Sequence, residues 1–200
     1  MKFDYVDIGT CDYDVSSEAA LEGENSLLVE PVKYYLDRIP DRPNQKKVNL
    51  AVSNICGHLP VYFVPDVTVN MCNLPAWIRG CNSVGVRHPT VDLLLQHMGL
   101  PLGLVNSTTI ETVTFKELCT RNNITEITNL KLDTEGHECY ILPDIYDSVS
   151  KGGMIIKKIK FENQESLGNK KLLDKLVERF VLSGYSITEV NEMDTTIELV

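Results

Sequence analysis

The sequence predicts a doubly wound, mostly parallel α/β sheet with an antiparallel edge at its C-terminal end. Three observations carry that expectation. Short β-prone runs alternate with stretches of helical periodicity along most of the chain. The first run closes on Asp7-Ile8-Gly9-Thr10 and the second on Glu30, 21 positions after Gly9, the spacing of a strand–turn–helix–strand unit. The last two runs, Tyr185 to Val190 and Thr195 to Val200, are joined by a few residues only and read as an antiparallel pair.

Taken in order, strand one is Phe3 to Ile8, and a helix follows from about Ser16 to Glu22 with Ser16 or Ser17 as its cap. Strand two is Ser26 to Val29. Pro31 then opens a helix through about Arg38, because proline suits the first helical position. Asp41-Arg42-Pro43-Asn44 is loop, and Val48 to Val52 is strand three. Cys56-Gly57-His58 reads as a turn ahead of a strand from Leu59 to Val64. Residues 65–107 are irregular and hold the single tryptophan, Trp77. Long irregular segments in compact domains are functional or disordered, and the apolar content here favours a lid or substrate-binding insertion within one domain spanning 1–200. A helix from Thr90 to Met98 inside it would carry Leu93, Leu94 and His97 on one face.

Regular alternation resumes with Glu111 to Val113 (strand), Phe115 to Asn122 (helix), Asn129 to Leu132 (strand), Glu138 to Val149 (helix) and Met154 to Phe161 (strand). Lys170 to Leu182 has the clearest amphipathic pattern, with Leu172, Leu173, Leu176, Val177, Phe180 and Val181 at helical spacing.

Composition narrows the function. A net charge of −9 opposes a nucleic-acid backbone as partner, and the lysines between Lys151 and Lys160 read as solvated flanks of a strand. No run approaches the roughly 18 apolar residues of a membrane span, and strand-like sequence begins at once, leaving no signal peptide. Six cysteines, at positions 11, 56, 72, 81, 119 and 139, form no C-x-x-C pair. A reduced, cytoplasmic chain bound to neither nucleic acid nor membrane is expected.

The glycine turn lacks a G-x-G-x-x-G pattern, and Asp7, Asp12 and Asp14 would crowd a pyrophosphate with negative charge. An NAD-linked oxidoreductase is disfavoured on that ground. A ligand with a ribose and an adenine, no phosphate, and cationic sulfonium and ammonium groups suits the same acids, and S-adenosylmethionine is such a ligand. Glu30 would accept both ribose hydroxyls.

The second cluster is Lys131-Leu132-Asp133-Thr134-Glu135-Gly136-His137-Glu138, at a strand end where ligands of doubly wound folds collect. Its acids would bind a metal, deprotonate a hydroxyl or decorate a helix N-terminus; for Glu138 the last is a plain structural reading. His137 is a candidate base. Glu162, followed by Asn163, ends another strand. Arg79-Gly80-Cys81-Asn82-Ser83 offers donors to a polar substrate or forms a plain loop. His58, His88 and His97 share no ligand spacing and receive no role.

The ordered series Asp7-Ile8-Gly9, Val29-Glu30-Pro31, Asn49-Leu50-Ala51-Val52-Ser53, Thr114-Phe115-Lys116-Glu117-Leu118, Lys131 to Glu138 and Lys160-Phe161-Glu162 resembles the FkbM family of methyltransferases. The resemblance implies a Rossmann-like, seven-stranded class I methyltransferase sheet and S-adenosylmethionine-dependent O-methylation of a sugar or other small hydroxylated acceptor. It also implies that Asp7, Gly9, Thr10 and Asp12 form the cofactor loop, that Glu30 holds the ribose, and that Ala51, Val52 and Ser53 lie near the adenine. Asp133, Glu135 and His137 would serve the acceptor, either without a metal or with Mg²⁺ on Asp133, Glu135 and Glu162. With no helix ahead of strand one, the insertion or a second subunit of a homo-oligomer would cover the pocket. Asp12 stands where the family carries a second glycine, which keeps open an inactive, methyltransferase-like binding module.

Overall fold

A computed structural model describes residues 1–12, 24–151, 153–163 and 169–200. Its strands are β1 (Lys2–Ile8), β2 (Ser26–Val29), β3 (Gln45–Val48), β4 (Ala51–Val52), β5 (Gly57–Phe63), β6 (Ser83–Val84), β7 (Asn106–Val113), β8 (Glu126–Leu132), β9 (Ile155–Glu162), β10 (Tyr185–Val190) and β11 (Asp194–Leu199). Its helices are α1 (Lys33–Arg38), α2 (Asp66–Met71), α3 (Pro89–His97), α4 (Phe115–Arg121), α5 (Glu138–Ser150) and α6 (Lys170–Leu182), with 3-10 turns at Ala76–Arg79 and Leu102–Leu104.

The main sheet has seven strands in the order β10-β11-β9-β8-β1-β2-β3. Strands β9, β8, β1, β2 and β3 pair in parallel, whereas β11 runs antiparallel to both its neighbours, so the sheet is mixed. After β1 the chain builds β2 and β3 on one side, then returns to lay β8 on the other. The strand order therefore reverses between β1 and β8, and a ligand crevice is expected beyond their carboxyl ends. Fully buried Val6, Ile8, Val29, Leu130, Ile159 and Phe161 form the sheet's part of the core. Phe115 and Leu118 of α4, Leu142 and Ile145 of α5, and Leu173, Leu176 and Phe180 of α6 pack into the same cluster. Each such side chain contributes about 1.5–3 kcal/mol through removal from water. Thr114 caps α4 by accepting the Glu117 N–H at 3.1 Å. Leu172 and Val181 of α6, counted on its apolar stripe, are instead largely exposed.

Several expected boundaries shift for local reasons. Pro31 lies outside α1: Val32 is the cap, and its N–H is taken at 2.7 Å by the Glu30 side chain. The run Val48 to Val52 is not one strand. It breaks at Asn49-Leu50, where the Asn49 amide donates to the Glu30 and Pro31 carbonyls at 2.8 and 3.0 Å, and Ala51–Val52 leave for another sheet. Gly57 and His58, read as a turn, pair with Thr112 and Glu111. The strand placed at Glu111 to Val113 begins at Asn106. The helix expected from Ser16 to Glu22 lies outside the described residues.

The largest departure is a second, four-stranded sheet in the order β4-β7-β5-β6, mostly antiparallel, made partly from runs expected to continue the parallel sheet and partly, at β6, from the segment read as irregular. Residues 65–107 hold α2, α3, β6 and both 3-10 turns, gathered on a small core of Val64, Val69, Leu74, Ile78, Val91 and Leu95. The buried face of α3 is thus Val91 and Leu95; Leu93 and His97 face outward, against the expected stripe. No helix among the described residues is long and apolar enough to cross a membrane.

Candidate functional site

The ends of β1 and β8 meet at Gly9 and Asp133. Gly9 adopts φ +90°, and a Cβ there would sit 1.8 Å from the Asp133 carbonyl oxygen. Only glycine permits this approach, which is locked by Gly9 N–H to Val29 O and Asp133 N–H to Ile8 O, both at 2.9 Å. Beside it opens a narrow crevice, lined among others by Gly9, Glu30, Ala51, Val52, Asn82 and Asp133. The apolar wall comes from Leu50, Ala51 and Val52, carried in by the second sheet.

Glu30 is buried on this crevice. Its carboxylate accepts the Cys11 N–H at 2.9 Å and the Val32 N–H at 2.7 Å, tying the glycine turn to the start of α1. Burial pushes its carboxyl up to about 7 against the opposing pull of those two donors. Asp7 is buried within β1, opposite Lys131 of β8 in the ladder. Thr10 is also buried, and its hydroxyl has no hydrogen-bond partner among the described residues. Neither residue lines the crevice.

Asp12 is held in a ring of alternating charges. Arg38 Nε lies 2.9 Å from Asp12 Oδ2, Arg79 binds Asp12 Oδ1, and both arginines also bind Asp66, with Arg79 Nε 2.6 Å from Asp66 Oδ1. Both Asp12 oxygens are thereby occupied, and its charge is neutralised locally instead of being offered to a ligand. An Asp12→Asn variant should consequently change the affinities for S-adenosylmethionine and S-adenosylhomocysteine in parallel, to within about twofold of each other. A selective loss of the sulfonium ligand by calorimetry would show that Asp12 senses ligand charge.

The turn after β8 is shaped by two left-handed residues, Glu135 (φ +55°) and Gly136 (φ +94°). Glu138 closes it from below, accepting the Thr134 N–H (2.6 Å), the Thr134 hydroxyl (2.7 Å) and the Gly136 N–H (3.0 Å). It is fully buried, and burial pushes its carboxyl up to about 7. Its oxygens serve its own turn. His137 points elsewhere: its Nε2 lies 2.9 Å from Ser53 Oγ, and burial lowers its imidazole to about 4. Ser53, expected near an adenine, is thus the partner of the candidate base, and neither lines the crevice.

Asp133, Glu135 and Glu162 do converge. One ligand oxygen from each lies within 4.8 Å of the others, on the wall of a second, wider pocket. Trp77, Lys131 and Lys160 also line that pocket, and Lys131 Nζ sits 3.2 Å from Asp133 Oδ2. Asp133 lines both spaces. Asn163, following Glu162, binds the Thr195 hydroxyl. The loop after Trp77 divides its residues: Arg79 joins the charge ring, Gly80 and Asn82 line the first crevice, Cys81 lines the second pocket, and Ser83 donates to Val86 O at 2.8 Å.

Sequence reasoning assigned nothing to His88, yet its Nε2 lies 2.8 Å from Glu135 Oε2, and Cys81 joins the same group. Cys81 and His88 lie in the segment 65–107 and Glu135 in the turn after β8, so no sequence spacing announced the three together. A family model described as the methyltransferase FkbM domain matches residues 7–193. No curated protein and no solved structure matches the chain.

Proposed function

Because the chain belongs to the FkbM methyltransferase family, we propose that it moves a methyl group from S-adenosylmethionine to a hydroxyl oxygen of a sugar or another small hydroxylated acceptor. The observation that carries this reading is Asp133, which borders both the narrow crevice beside Glu30 and the wider polar pocket beside Glu162. A methyl donor in one and an acceptor in the other would meet at that side chain.

The residues fit such a cofactor. A carboxylate offers about four lone-pair sites, and Glu30 uses two for Cys11 and Val32, leaving acceptors for a ribose diol. Leu50, Ala51 and Val52 supply an apolar wall for a purine. Gly9 removes the side chain that would fill the space against Asp133. When bound, S-adenosylmethionine supplies an electrophilic methyl on a sulfonium.

On the acceptor side, Asp133 holds the hydroxyl in line and receives its proton as the oxygen–carbon bond forms. Lys131, 3.2 Å away, orients that carboxylate. His137, engaged with Ser53, acts as a positioning residue that fixes the β8–α5 turn against β4. The test is formation of S-adenosylhomocysteine over a panel of sugars and glycosides. Turnover with one hydroxylated acceptor is the expected result. Tight cofactor binding without turnover on any of them would favour the binding module.

A further inference from the structure

We propose that Cys81, His88 and Glu135 form a binding site for one zinc-class divalent cation, with its remaining position open to the polar pocket beside Asp133. The inference is independent of the methyl-transfer reading, since it rests only on three ligand atoms and their surroundings. One ligand atom from each residue lies within 4.8 Å of the other two. Tetrahedral zinc with bonds of about 2.0–2.3 Å holds its ligands roughly 3.3–3.6 Å apart, so the group closes on an ion by about 1 Å of side-chain movement.

His88 is the second, separate observation. Its side chain is 5% exposed, and neither ring nitrogen makes a hydrogen bond among the described residues. Nε2 lies 2.8 Å from Glu135 Oε2 without the alignment of a hydrogen bond. Buried imidazole nitrogens are ordinarily satisfied, so two bare ring nitrogens beside a carboxylate and a thiol point to a missing partner, and an ion would need only a small parting of His88 from Glu135. Pro89, directly after His88, limits the backbone there and opens α3.

The donor set selects the metal. A thiolate, an imidazole and a carboxylate suit zinc, whereas magnesium prefers oxygen ligands alone. Thiolate is the ligating form of cysteine, so binding at Cys81 is expected to release a proton. Three protein ligands with an open position is the arrangement of zinc sites that also take a water or substrate oxygen. Cys81 and His88 belong to the segment 65–107 and Glu135 to the β8–α5 turn, so the ion would also clamp that segment against the sheet.

The full chain, stripped with a chelator and kept free of S-adenosylmethionine, is titrated with Co²⁺ as a spectroscopic probe. The expected result is about one equivalent bound, with thiolate-to-cobalt charge-transfer absorption that Zn²⁺ abolishes by displacement. Cys81→Ser, a near-isosteric change, should remove that absorption, while the exposed Cys56 changed to serine should leave it intact. His88→Gln, checked for folding by circular dichroism, should weaken Co²⁺ binding at least about tenfold. No charge-transfer band, a band that survives Cys81→Ser, or Mn²⁺ binding indifferent to both variants would overturn the proposal. Because the readout is metal binding alone, its failure leaves the methyltransferase reading standing, and the reverse holds.

Discussion

Gly9→Ala is expected to leave little folded protein. The added methyl would lie 1.8 Å from the Asp133 carbonyl oxygen and 2.7 Å from its carbon, and the backbone there is left-handed. Both obstructing atoms are backbone, so no flexible side chain can move aside. Relief requires separating the ends of β1 and β8, the central pair of the sheet. The loss should be on the order of 4–5 kcal/mol or more, a large fraction of the roughly 5–15 kcal/mol that holds a domain together. Urea unfolding measures it. Gly103→Ala is the control, because a Cβ there meets nothing within 4 Å, and its change should stay within about 0.5 kcal/mol.

Asp133→Asn should lower methyl transfer by roughly 10²–10⁴-fold while the cofactor still binds, since the amide keeps the shape but cannot take the proton. His137→Ala should cost far less. Its Nε2 is occupied by Ser53, and its imidazole, lowered to about 4, is neutral throughout the range where the free side chain titrates. Any step in the rate between about pH 6 and 7 should therefore persist in His137→Ala, since the buried carboxyls of Glu30 and Glu138, at about 7, and not His137, titrate there. Equal losses in the two variants, with an acid limb near pH 4, would pass the proton-accepting role to His137.

What the sequence made legible follows the range of the interactions. Ser26–Val29, Lys170–Leu182 and Tyr185–Val190 have the boundaries read from local pattern, because β-branched runs and a 3.6-residue stripe declare themselves. Gly57 and His58 misled because neither favours a strand. Their pairing is imposed by Thr112 and Glu111, more than 50 residues away along the chain. The break at Asn49 was equally hidden, since it depends on an amide bridging to Glu30 and Pro31.

At the site, Gly9, Glu30 and Asp133 were readable from turn chemistry and strand-end position, Ala51 and Val52 only through the family resemblance, and all five line the first crevice. Asp12 was read as a free charge because Arg38 and Arg79 reach it from distant helical segments. Ser53 and His137 were placed on opposite sides of the reaction, yet they touch. His88 was silent in sequence because a lone histidine before a proline carries no pattern, and only the fold sets it against Glu135.

The central claim, that the crevice beside Glu30 is a site for S-adenosylmethionine, is tested most directly by calorimetric titration of that ligand into the wild-type chain and a folded Glu30→Gln variant. The carboxylate's charge-assisted hydrogen bonds to a ribose are worth about 1.5–3 kcal/mol, so affinity should fall about tenfold to a hundredfold in the variant. The account predicts that loss, together with no binding of NAD to the wild type. Unchanged affinity in Glu30→Gln, or a chain that binds NAD and not S-adenosylmethionine, would contradict it.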